Sequence, residues 1–251
     1  MNTLDVLFTP ADFAALKQRN LDDAVCVVFD VFRATSSMIT ALANGATAVI
    51  PVGEIPEALA LRQRDSSLLL AGERDGVRIR AALTGGTDFD LGNSPREFTK
   101  EQVAGRTIVM TTTNGTRALQ ACAHASSVLI GSFLNLQATA EQVRRADLAN
   151  LVIVCSGTFE QAAYEDVLGA GALCEALGKA GLKAEGSDSA LMARLLFQAV
   201  AHDLLMAASA SRNGRRLLGR RELRDDVAFC LQRDLHPFAV ALQPDGKVKR
   251  L

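Results

Sequence analysis

The sequence predicts an α/β protein whose mostly parallel or mixed sheet is built from repeated strand-turn-helix units. An apolar strand, a polar or hydroxyl-rich turn and a helix follow one another three times, with strands near residues 24–31, 107–110 and 151–154. Identity between the three units is low, so their recurrence indicates a shared architecture rather than a true repeat. The chain has 251 residues, 49% of them apolar, and can bury a substantial core. We expect one domain over residues 1–251, built as a single body or as two closely packed lobes.

The N-terminal part of the chain alternates strands and helices. The first apolar run ends at Thr9-Pro10, and Asn44-Gly45 is a signal that ends a helix. The periodicity predicts strands at 4–8, 24–31, 48–52 and 68–71, and helices at 12–18, 35–44 and 56–64.

Residues 72–93 have neither strand nor helix periodicity and contain five glycines among charged residues. A loop this long inside a compact domain is usually functional or disordered, and its interspersed apolar residues favour a functional loop. The segment Ser94-Pro95-Arg96-Glu97 follows it. This segment predicts a capping box, with serine as the N-cap, proline at N1 and glutamate at N3.

The C-terminal part continues the alternation. We predict strands at 108–110, 128–131 and 151–154, a helix at 116–124, and a helix after Cys155 that carries Glu165 and Asp166. Apolar residues at helical spacing cover 187–211, and Asn213-Gly214 is expected to end that helix. A further helix is predicted at 222–232, and Pro244-Asp245-Gly246 predicts the turn of a terminal hairpin.

Charge and composition exclude several classes of partner. The 27 basic and 28 acidic side chains give a net charge of −1, which does not predict binding to nucleic acid. The one basic cluster, residues 212–224, includes Glu222 and is interpreted as a solvated helix surface. No signal peptide is visible, and no apolar run reaches the roughly 18–20 residues of a membrane helix. Five cysteines without CxxC spacing predict a reduced, cytoplasmic protein without a zinc site.

The stretch from Val27 to Ser37 combines features of an anion site. An apolar, β-branched strand ends in Asp30, Arg33 follows three residues later, and hydroxyl residues open a helix. Ligands of open α/β folds bind at the carboxyl ends of the strands, where helix N-termini favour anions. Asp30 would there hold a Mg²⁺ that partly neutralises a phosphate. The alternative is that Asp30 only caps the helix and that Arg33 is a solvated charge.

Several common phosphate motifs are absent from the sequence. There is no GxxxxGK[ST] P-loop, and Gln161 stands six positions after Cys155, where a cysteine phosphatase needs arginine. Phe32 stands where a phosphatase of the haloacid dehalogenase type has its second aspartate. Cys155 is therefore interpreted as a small core residue rather than a nucleophile.

Five segments remain, and their order is informative. They are Asp30-Val31-Phe32-Arg33-Ala34-Thr35-Ser36, Ala71-Gly72-Glu73-Arg74-Asp75-Gly76, Phe89-Asp90-Leu91-Gly92-Asn93-Ser94-Pro95, Thr111-Thr112-Thr113-Asn114-Gly115-Thr116 and Cys155-Ser156-Gly157. Together they resemble the ComB-type 2-phosphosulfolactate phosphatases, and the terminal Asp225-Asp226 and hairpin agree, so the resemblance covers about residues 4–251. Each segment alone is weakly specific, whereas five in order are strongly specific.

The resemblance implies a three-layer α/β/α fold and a Mg²⁺-dependent hydrolysis of phosphosulfolactate to sulfolactate and phosphate, a step of coenzyme M synthesis. Such a reaction needs neutralisation of the phosphoryl oxygens and an in-line water. The residues predicted to act in catalysis are Asp30, Arg33, Arg74, Glu165 and Asp166, with the arginines as bidentate anion clamps. The carboxylates that are candidates for Mg²⁺ are Asp30, Glu73, Glu165, Asp166 and Asp226, and of these Asp30, Glu73 and Asp226 are the predicted metal ligands. The predicted substrate-binding residues are Asn93, Ser94, Thr112, Asn114, Gly115, Thr116, Ser156 and Gly157.

Structural alternatives exist for several of these residues. Glu165 and Asp166 could be carboxylates of a first helical turn, Asp226 a surface residue, and the arginines partners of Asp30 or Glu73. Ser94 could be only a cap, and Asn114-Gly115 only a turn.

The sequence thus predicts a cytoplasmic Mg²⁺ phosphatase for a small anionic phosphoester, with a homodimer as a candidate assembly. Water is favoured as the attacking group, because the aspartyl-phosphatase signature is absent. Two alternatives stay open. One is a phosphatase of the same fold acting on another small phosphorylated hydroxy acid, and the other is a non-catalytic anion-binding module.

Overall fold

Strands and helices alternate along the chain in a computed structural model, which describes the backbone of residues 1–251 and every side chain except that of Lys17. The strands are β1 (Thr3–Leu7), β2 (Ala24–Phe29), β3 (Ala48–Pro51), β4 (Leu69–Arg74), β5 (Val77–Arg78), β6 (Thr107–Thr111), β7 (Ser127–Gly131), β8 (Asn150–Cys155), β9 (Glu185–Gly186), β10 (Val240–Leu242) and β11 (Val248–Arg250). The helices are α1 (Pro10–Ala14), α2 (Ala34–Ala43), α3 (Ile55–Arg64), α4 (Ala81–Thr84), α5 (Lys100–Val103), α6 (Gly115–Cys122), α7 (Leu136–Arg145), α8 (Tyr164–Lys179), α9 (Asp188–Val200), α10 (Leu204–Ser209), α11 (Arg212–Leu218) and α12 (Arg224–Cys230).

All of these strands join one mixed sheet in the order β5-β4-β6-β3-β11-β10-β7-β2-β8-β1-β9. One half, β4-β6-β3, is parallel, and so is the other half, β7-β2-β8-β1-β9. The terminal hairpin β10–β11 lies between the halves and pairs antiparallel with both β7 and β3. Three successive antiparallel pairs therefore separate β3 from β7, so the two parallel halves run in opposite directions.

Helices cover both faces of this sheet, which confirms the three-layer α/β/α arrangement. Along β2, Cys26 and Val28 pack into one core with α2 and α6, whereas Val25, Val27 and Phe29 pack into a second core with α7, α8 and α9. Successive side chains of a strand point to opposite faces, so a strand buried on both sides is apolar throughout. This explains the uninterrupted apolar run that ends at Asp30.

Most predicted strands lie within a few residues of the observed ones, and the predicted hairpin at Pro244-Asp245-Gly246 joins β10 to β11. The loop 72–93 is more ordered than the sequence indicated. Its first residues extend β4 and return as β5 through a two-residue turn at Asp75 and Gly76, both with positive φ (55° and 75°). Such a turn matches the twist of the flanking strands.

Two predictions on the helices are wrong. The segment 187–211 is not one helix, because α9 ends at Val200 and α10 follows as a separate helix. Asn213-Gly214 does not end a helix but lies in the first turn of α11, where the Ser211 side chain accepts a hydrogen bond from the Gly214 amide. Glycine is required there by close packing, since a Cβ atom would stand 2.1 Å from the Ala208 carbonyl oxygen.

Helix α7 was not predicted at all. Leu136, Ala140 and Val143 are buried on one face of this helix. Most residues of Leu136–Arg145 are polar, so the apolar periodicity of the segment is weak. None of the helices in the described chain is both long and apolar enough to cross a lipid bilayer.

Candidate active site

A polar pocket lies where the turns after β2, β4, β6 and β8 meet the first turns of α8 and α11. The residues that line it are Asp30, Phe32, Arg33, Glu73, Asp75, Gly76, Asn93, Thr113, Asn114, Gly157, Thr158, Phe159, Glu165, Asp166, Asn213, Arg216 and Leu217. Eight of the predicted site residues are among them, and they come from sequence positions between 30 and 166. Convergence of these distant positions is the main evidence for a functional site.

Asp30 follows β2 directly and is only 8% exposed. Its Oδ1 atom accepts a hydrogen bond of 3.1 Å from the Ala34 amide, the first of α2, so Asp30 does cap this helix. Its Oδ2 atom faces Gly115, where a Cβ atom would approach it to 2.7 Å. Capping and ligand binding are compatible because they use different oxygens.

Asp166 and Glu165 line the pocket near Asp30 and belong to the first turn of α8. Asp166 accepts hydrogen bonds from the Val31 amide (2.8 Å) and the Gly157 amide (3.2 Å), and so ties the turns after β2 and β8 to this helix. Glu165 accepts a hydrogen bond of 2.5 Å from Asn213 through Oε1. Its Oε2 atom is buried and has no hydrogen-bond partner among the described atoms.

These three carboxyls are difficult to ionise together. The pKa of Asp30 is raised to about 7: burial is the main cause, the Ala34 amide opposes it, Glu73 and Glu165 add to it, and Arg33 lowers it. Burial likewise raises the pKa of Glu165, and it raises that of Asp166 well above the usual range, with Asp30 and Glu165 adding to the effect. Such a group of buried like charges requires protons or a cation.

Arg33 also lines the pocket. Its contacts show that Asp226 is an ion-pair partner of this arginine. The guanidinium donates to Asp226 Oδ2 (2.8 Å) and to the Gly76 carbonyl (2.9 Å), and both side chains are almost fully buried. Asp226 Oδ1 accepts a hydrogen bond of 2.7 Å from Ser94. Both oxygens of Asp226 are therefore used away from the pocket, and the structure does not bring Asp226 together with Asp30 and Glu73.

Ser94 is not the cap that the sequence predicts. Pro95–Glu97 is a single 3-10 turn, and the Ser94 hydroxyl donates to Asp226 instead of accepting a bond from this turn. Glu97 pairs with Arg78 (2.7 Å) and accepts a bond from the Gly92 amide. The predicted capping box is wrong because both of its side chains have long-range partners.

Glu73 lines the pocket, but its oxygens already have partners. Oε2 accepts from the Gly76 amide (2.6 Å), and Oε1 accepts from the amide and hydroxyl of Thr113 (2.9 Å each). Glu73 thus joins the β4–β5 turn to the turn after β6. Arg74 donates to the Glu73 carbonyl and to the Thr111 hydroxyl and lies outside the lining of the pocket.

The predicted substrate-binding residues divide into two groups. Asn93, Asn114 and Gly157 line the pocket. The others lie behind it, and they are Ser94, Thr112, Gly115, Thr116 and Ser156. Within that second group, Thr116 donates to the Thr112 carbonyl (3.0 Å), which fixes the turn that opens α6.

Oxygen atoms of the kind that Mg²⁺ prefers line the pocket, although no three of the described His, Cys, Asp and Glu side chains are placed to hold a metal by themselves. Mg²⁺ in proteins takes one or two carboxylates and completes its shell with water and substrate oxygens. Glu165 Oε2 is an orphaned buried oxygen, and so is Asn93 Oδ1. Together with Asp30, these atoms match the preference of Mg²⁺ for hard oxygen ligands.

Several lining residues were missed by sequence reasoning. Asn213 and Arg216 belong to the basic segment 212–224 that we interpreted as solvated surface, and this interpretation is wrong for both. Arg216 interacts with Asp75 at the rim, and Asn213 orients Glu165. The exposed Phe159 also lines the mouth. No local pattern marks these residues, because 48 positions separate Asn213 from Glu165.

Cys155 is confirmed as a core residue. It is fully buried at the end of β8, and burial raises its pKa well above the usual range, with Asp166 adding to the shift. A thiol held neutral in this way is a poor nucleophile.

Comparison with known proteins gives one consistent result. A family model described as 2-phosphosulpholactate phosphatase matches residues 12–244. A protein of Caldicellulosiruptor saccharolyticus named probable 2-phosphosulfolactate phosphatase is 39% identical over 85% of this chain and 87% of its own length. Proteins with the same name from Caldanaerobacter subterraneus and Pseudothermotoga lettingae are 40% and 37% identical, and the matches cover 91% and 98% of this chain and 91% and 99% of theirs.

Proposed function

The chain belongs to the 2-phosphosulpholactate phosphatase family, and we propose that it hydrolyses 2-phosphosulfolactate to sulfolactate and phosphate. The observation that carries this proposal is the pocket in which buried carboxyls with unpaired oxygens face a buried arginine. Such a pocket suits a phosphoryl group bound together with a cation.

We propose that Asp30 and Glu165 hold Mg²⁺, through Asp30 Oδ2 and the orphaned Glu165 Oε2, with Asn93 Oδ1 nearby in the lining. When bound, the ion would neutralise charge on the phosphoryl oxygens. In this assignment Asp226 positions Arg33. Glu73 positions the β4–β5 turn and the turn after β6. This assignment keeps Asp30 and Glu165 from the candidates that the sequence predicts and leaves out Glu73 and Asp226.

Arg33 is proposed as the anion clamp of the pocket. Asp226 and the Gly76 carbonyl hold its guanidinium in one orientation, so little side-chain entropy is lost when an anion binds. The side-chain amide of Asn114 adds a hydrogen-bond donor to the lining. These groups would orient the phosphoester for attack by water.

Phosphate release tests the proposal. The protein is first treated with chelator and then assayed with 2-phosphosulfolactate, with and without added Mg²⁺. We expect no release without metal and restored release with it. Full activity in excess chelator would contradict the magnesium part, and no release under either condition would contradict the activity.

Three further points belong to this proposal. The cytoplasm is the proposed location, and the free, buried state of the five cysteines supports it. The reaction would supply coenzyme M synthesis, which a strain lacking the protein would test by its coenzyme M content. A homodimer is the proposed assembly, because Leu191, Met192 and Leu195 on α9 are each 54% exposed and a second copy could cover them. Light scattering would measure the assembly directly.

A further inference from the structure

A second cleft adjoins the candidate active site. It shares Arg33, Gly76 and Asn93 with the carboxylate-lined pocket. Its volume is about 420 Å³, whereas that of the pocket is about 70 Å³. The larger space thus adjoins the pocket at these three residues. A substrate whose phosphoryl group fills the pocket has room for its remaining atoms in this cleft.

The lining of the cleft is strongly basic. Five arginines contribute to it: Arg33, Arg78, Arg80, Arg96 and Arg220. Only two carboxylates do so, and they are Glu97 and Glu222. The adjoining pocket has the opposite character, because its buried acidic groups outnumber its arginines. One small molecule could therefore contact the carboxylates proposed to hold Mg²⁺ at one end and the arginines of the cleft at the other.

The arginines of the cleft differ in how far they are already neutralised. Arg33 is paired with Asp226 at 2.8 Å and Arg78 with Glu97 at 2.7 Å. Arg96 contacts carboxylates only at 3.3 Å and 3.6 Å, and the nearer of these, Asp225, is 64% exposed. For Arg220, neither a carboxylate within 4.0 Å nor a side-chain hydrogen bond is found among the described residues. Arg96 and Arg220 therefore have donors available for a ligand.

We propose that Arg96 and Arg220 bind the acid group of the substrate that is remote from phosphorus, a sulfonate or a carboxylate. This inference rests on the proposed function and adds the residues that would determine its specificity. A guanidinium presents parallel N–H donors that match two oxygens of such a group. The same donors would discriminate a phosphoester with a second acid group from one without it.

Neither Arg96 nor Arg220 lines the pocket that holds Asp30 and Glu165, so they act on binding rather than on the reacting bond. Each arginine would lose charge-assisted hydrogen bonds to the remote acid group, and a tenfold loss of affinity corresponds to about 1.4 kcal/mol. We expect loss of either arginine to raise KM for 2-phosphosulfolactate about tenfold and to leave kcat almost unchanged. Hydrolysis of isopropyl phosphate, which has no second acid group, should not change.

The decisive experiment measures binding without turnover. Calorimetry with Mg²⁺ present compares sulfolactate and inorganic phosphate on the parent protein and on Arg220→Gln and Arg96→Gln. Arg144→Gln is the matched control, because Arg144 lies on α7 and lines neither cleft. We expect the two cleft variants to raise the Kd of sulfolactate about tenfold and to leave the Kd of phosphate unchanged.

Three results would overturn the inference. They are sulfolactate affinity that is unchanged in both cleft variants, an equal loss for sulfolactate and phosphate, and a parent protein that does not bind sulfolactate. If instead the parent binds sulfolactate as expected but releases no phosphate from 2-phosphosulfolactate, the proposed function fails and the specificity site stands.

Discussion

Two sides of the pocket differ in how their buried charge is neutralised. We call them the paired wall, which is Arg33 with its partner Asp226, and the acidic wall, which is Asp30, Glu165 and Asp166. Arg33 and Asp226 neutralise each other at 2.8 Å, and Ser94 and Gly76 complete their hydrogen bonds. Facing them, Asp30 and Glu165 are buried without any such partner cation, and their pKa values are raised mainly by burial. The first wall is complete by itself, whereas the second needs a ligand.

This difference indicates how the two walls contribute to function. A complete ion pair keeps its geometry whether or not substrate is present, so Arg33 is preorganised for an anion. An incomplete acidic wall gains most when a cation arrives, because the cation removes repulsion that the fold otherwise retains. Substitutions should therefore affect ligand binding on the acidic wall and folding on the paired wall.

The largest expected effect is that of Asp30→Asn on the acidic wall. The amide preserves the size of the side chain and one oxygen acceptor but removes the charge, so Mg²⁺ binding should weaken and activity should fall by roughly 100-fold or more. Phosphate release and Mg²⁺ calorimetry measure the two effects. A variant that folds normally, binds Mg²⁺ like the parent and stays active would reduce Asp30 to a helix cap.

On the paired wall, Asp226→Asn should instead destabilise the fold. It leaves the buried Arg33 without its counter-charge, and breaking a buried ion pair from one side typically lowers the free energy of unfolding by about 3–5 kcal/mol. Denaturant unfolding measures this loss, and Arg33→Lys is the companion variant because it keeps the charge but not the planar fork. If Asp226→Asn loses Mg²⁺ affinity at unchanged stability, Asp226 is a metal ligand after all.

The pH dependence of the free energy of unfolding should reveal the raised pKa values of the acidic wall in the parent protein, without any substitution. The pKa of Asp30 rises from 3.8 in the unfolded chain to about 7 in the fold. Between these values the folded protein holds a proton that the unfolded chain releases, so the stability of the metal-free protein should fall as pH rises through this window. Mg²⁺ should restore stability above about pH 7, because it favours the ionised carboxyl.

Thermal unfolding of chelator-treated protein at about pH 5 and about pH 8 tests this sign. Asp30→Asn provides the control, since it removes one of the three carboxyls with a raised pKa and should make the dependence less steep, while Glu165 and Asp166 still titrate. A metal-free parent that becomes more stable as pH rises over the same window would contradict the account of the acidic wall.

The smallest expected effect is that of Cys155→Ala, just behind the acidic wall. The side chain is buried and lies outside the pocket lining, so the loss is a small cavity worth about 1 kcal/mol of stability. Turnover should stay within about twofold of the parent, given a neutral thiol. Complete inactivation of a normally folded Cys155→Ala would mean that the thiol takes part in the reaction.

The sequence predicted the acidic wall better than the paired wall, for a physical reason. Asp30, Glu165 and Asp166 follow strands or open helices, where periodicity indicates position directly. The partnership of Asp226 with Arg33 spans 193 positions and depends on how α12 packs, which no local pattern records. The same limit applies to Asn213 and Arg216, which α11 brings to the pocket.

The sheet order was also beyond prediction. The terminal hairpin was recognised from its turn, but its insertion between β3 and β7 was not. Because of this insertion the two parallel halves run in opposite directions. In a flat sheet, the carboxyl ends of β2 and β6 would therefore lie at opposite edges. A twist of about 20–25° per strand pair accumulates over the five pairs between them to roughly 100–125°, which helps the turns after both strands reach one pocket.

A crystal structure of the protein with Mg²⁺ and sulfolactate tests the central claim most directly. The account predicts the metal at Asp30 and Glu165, with Asp226 still paired to Arg33 and the sulfonate or the carboxylate of sulfolactate toward Arg96 and Arg220. A metal bound by Asp226, or a metal distant from both Asp30 and Glu165, would contradict it.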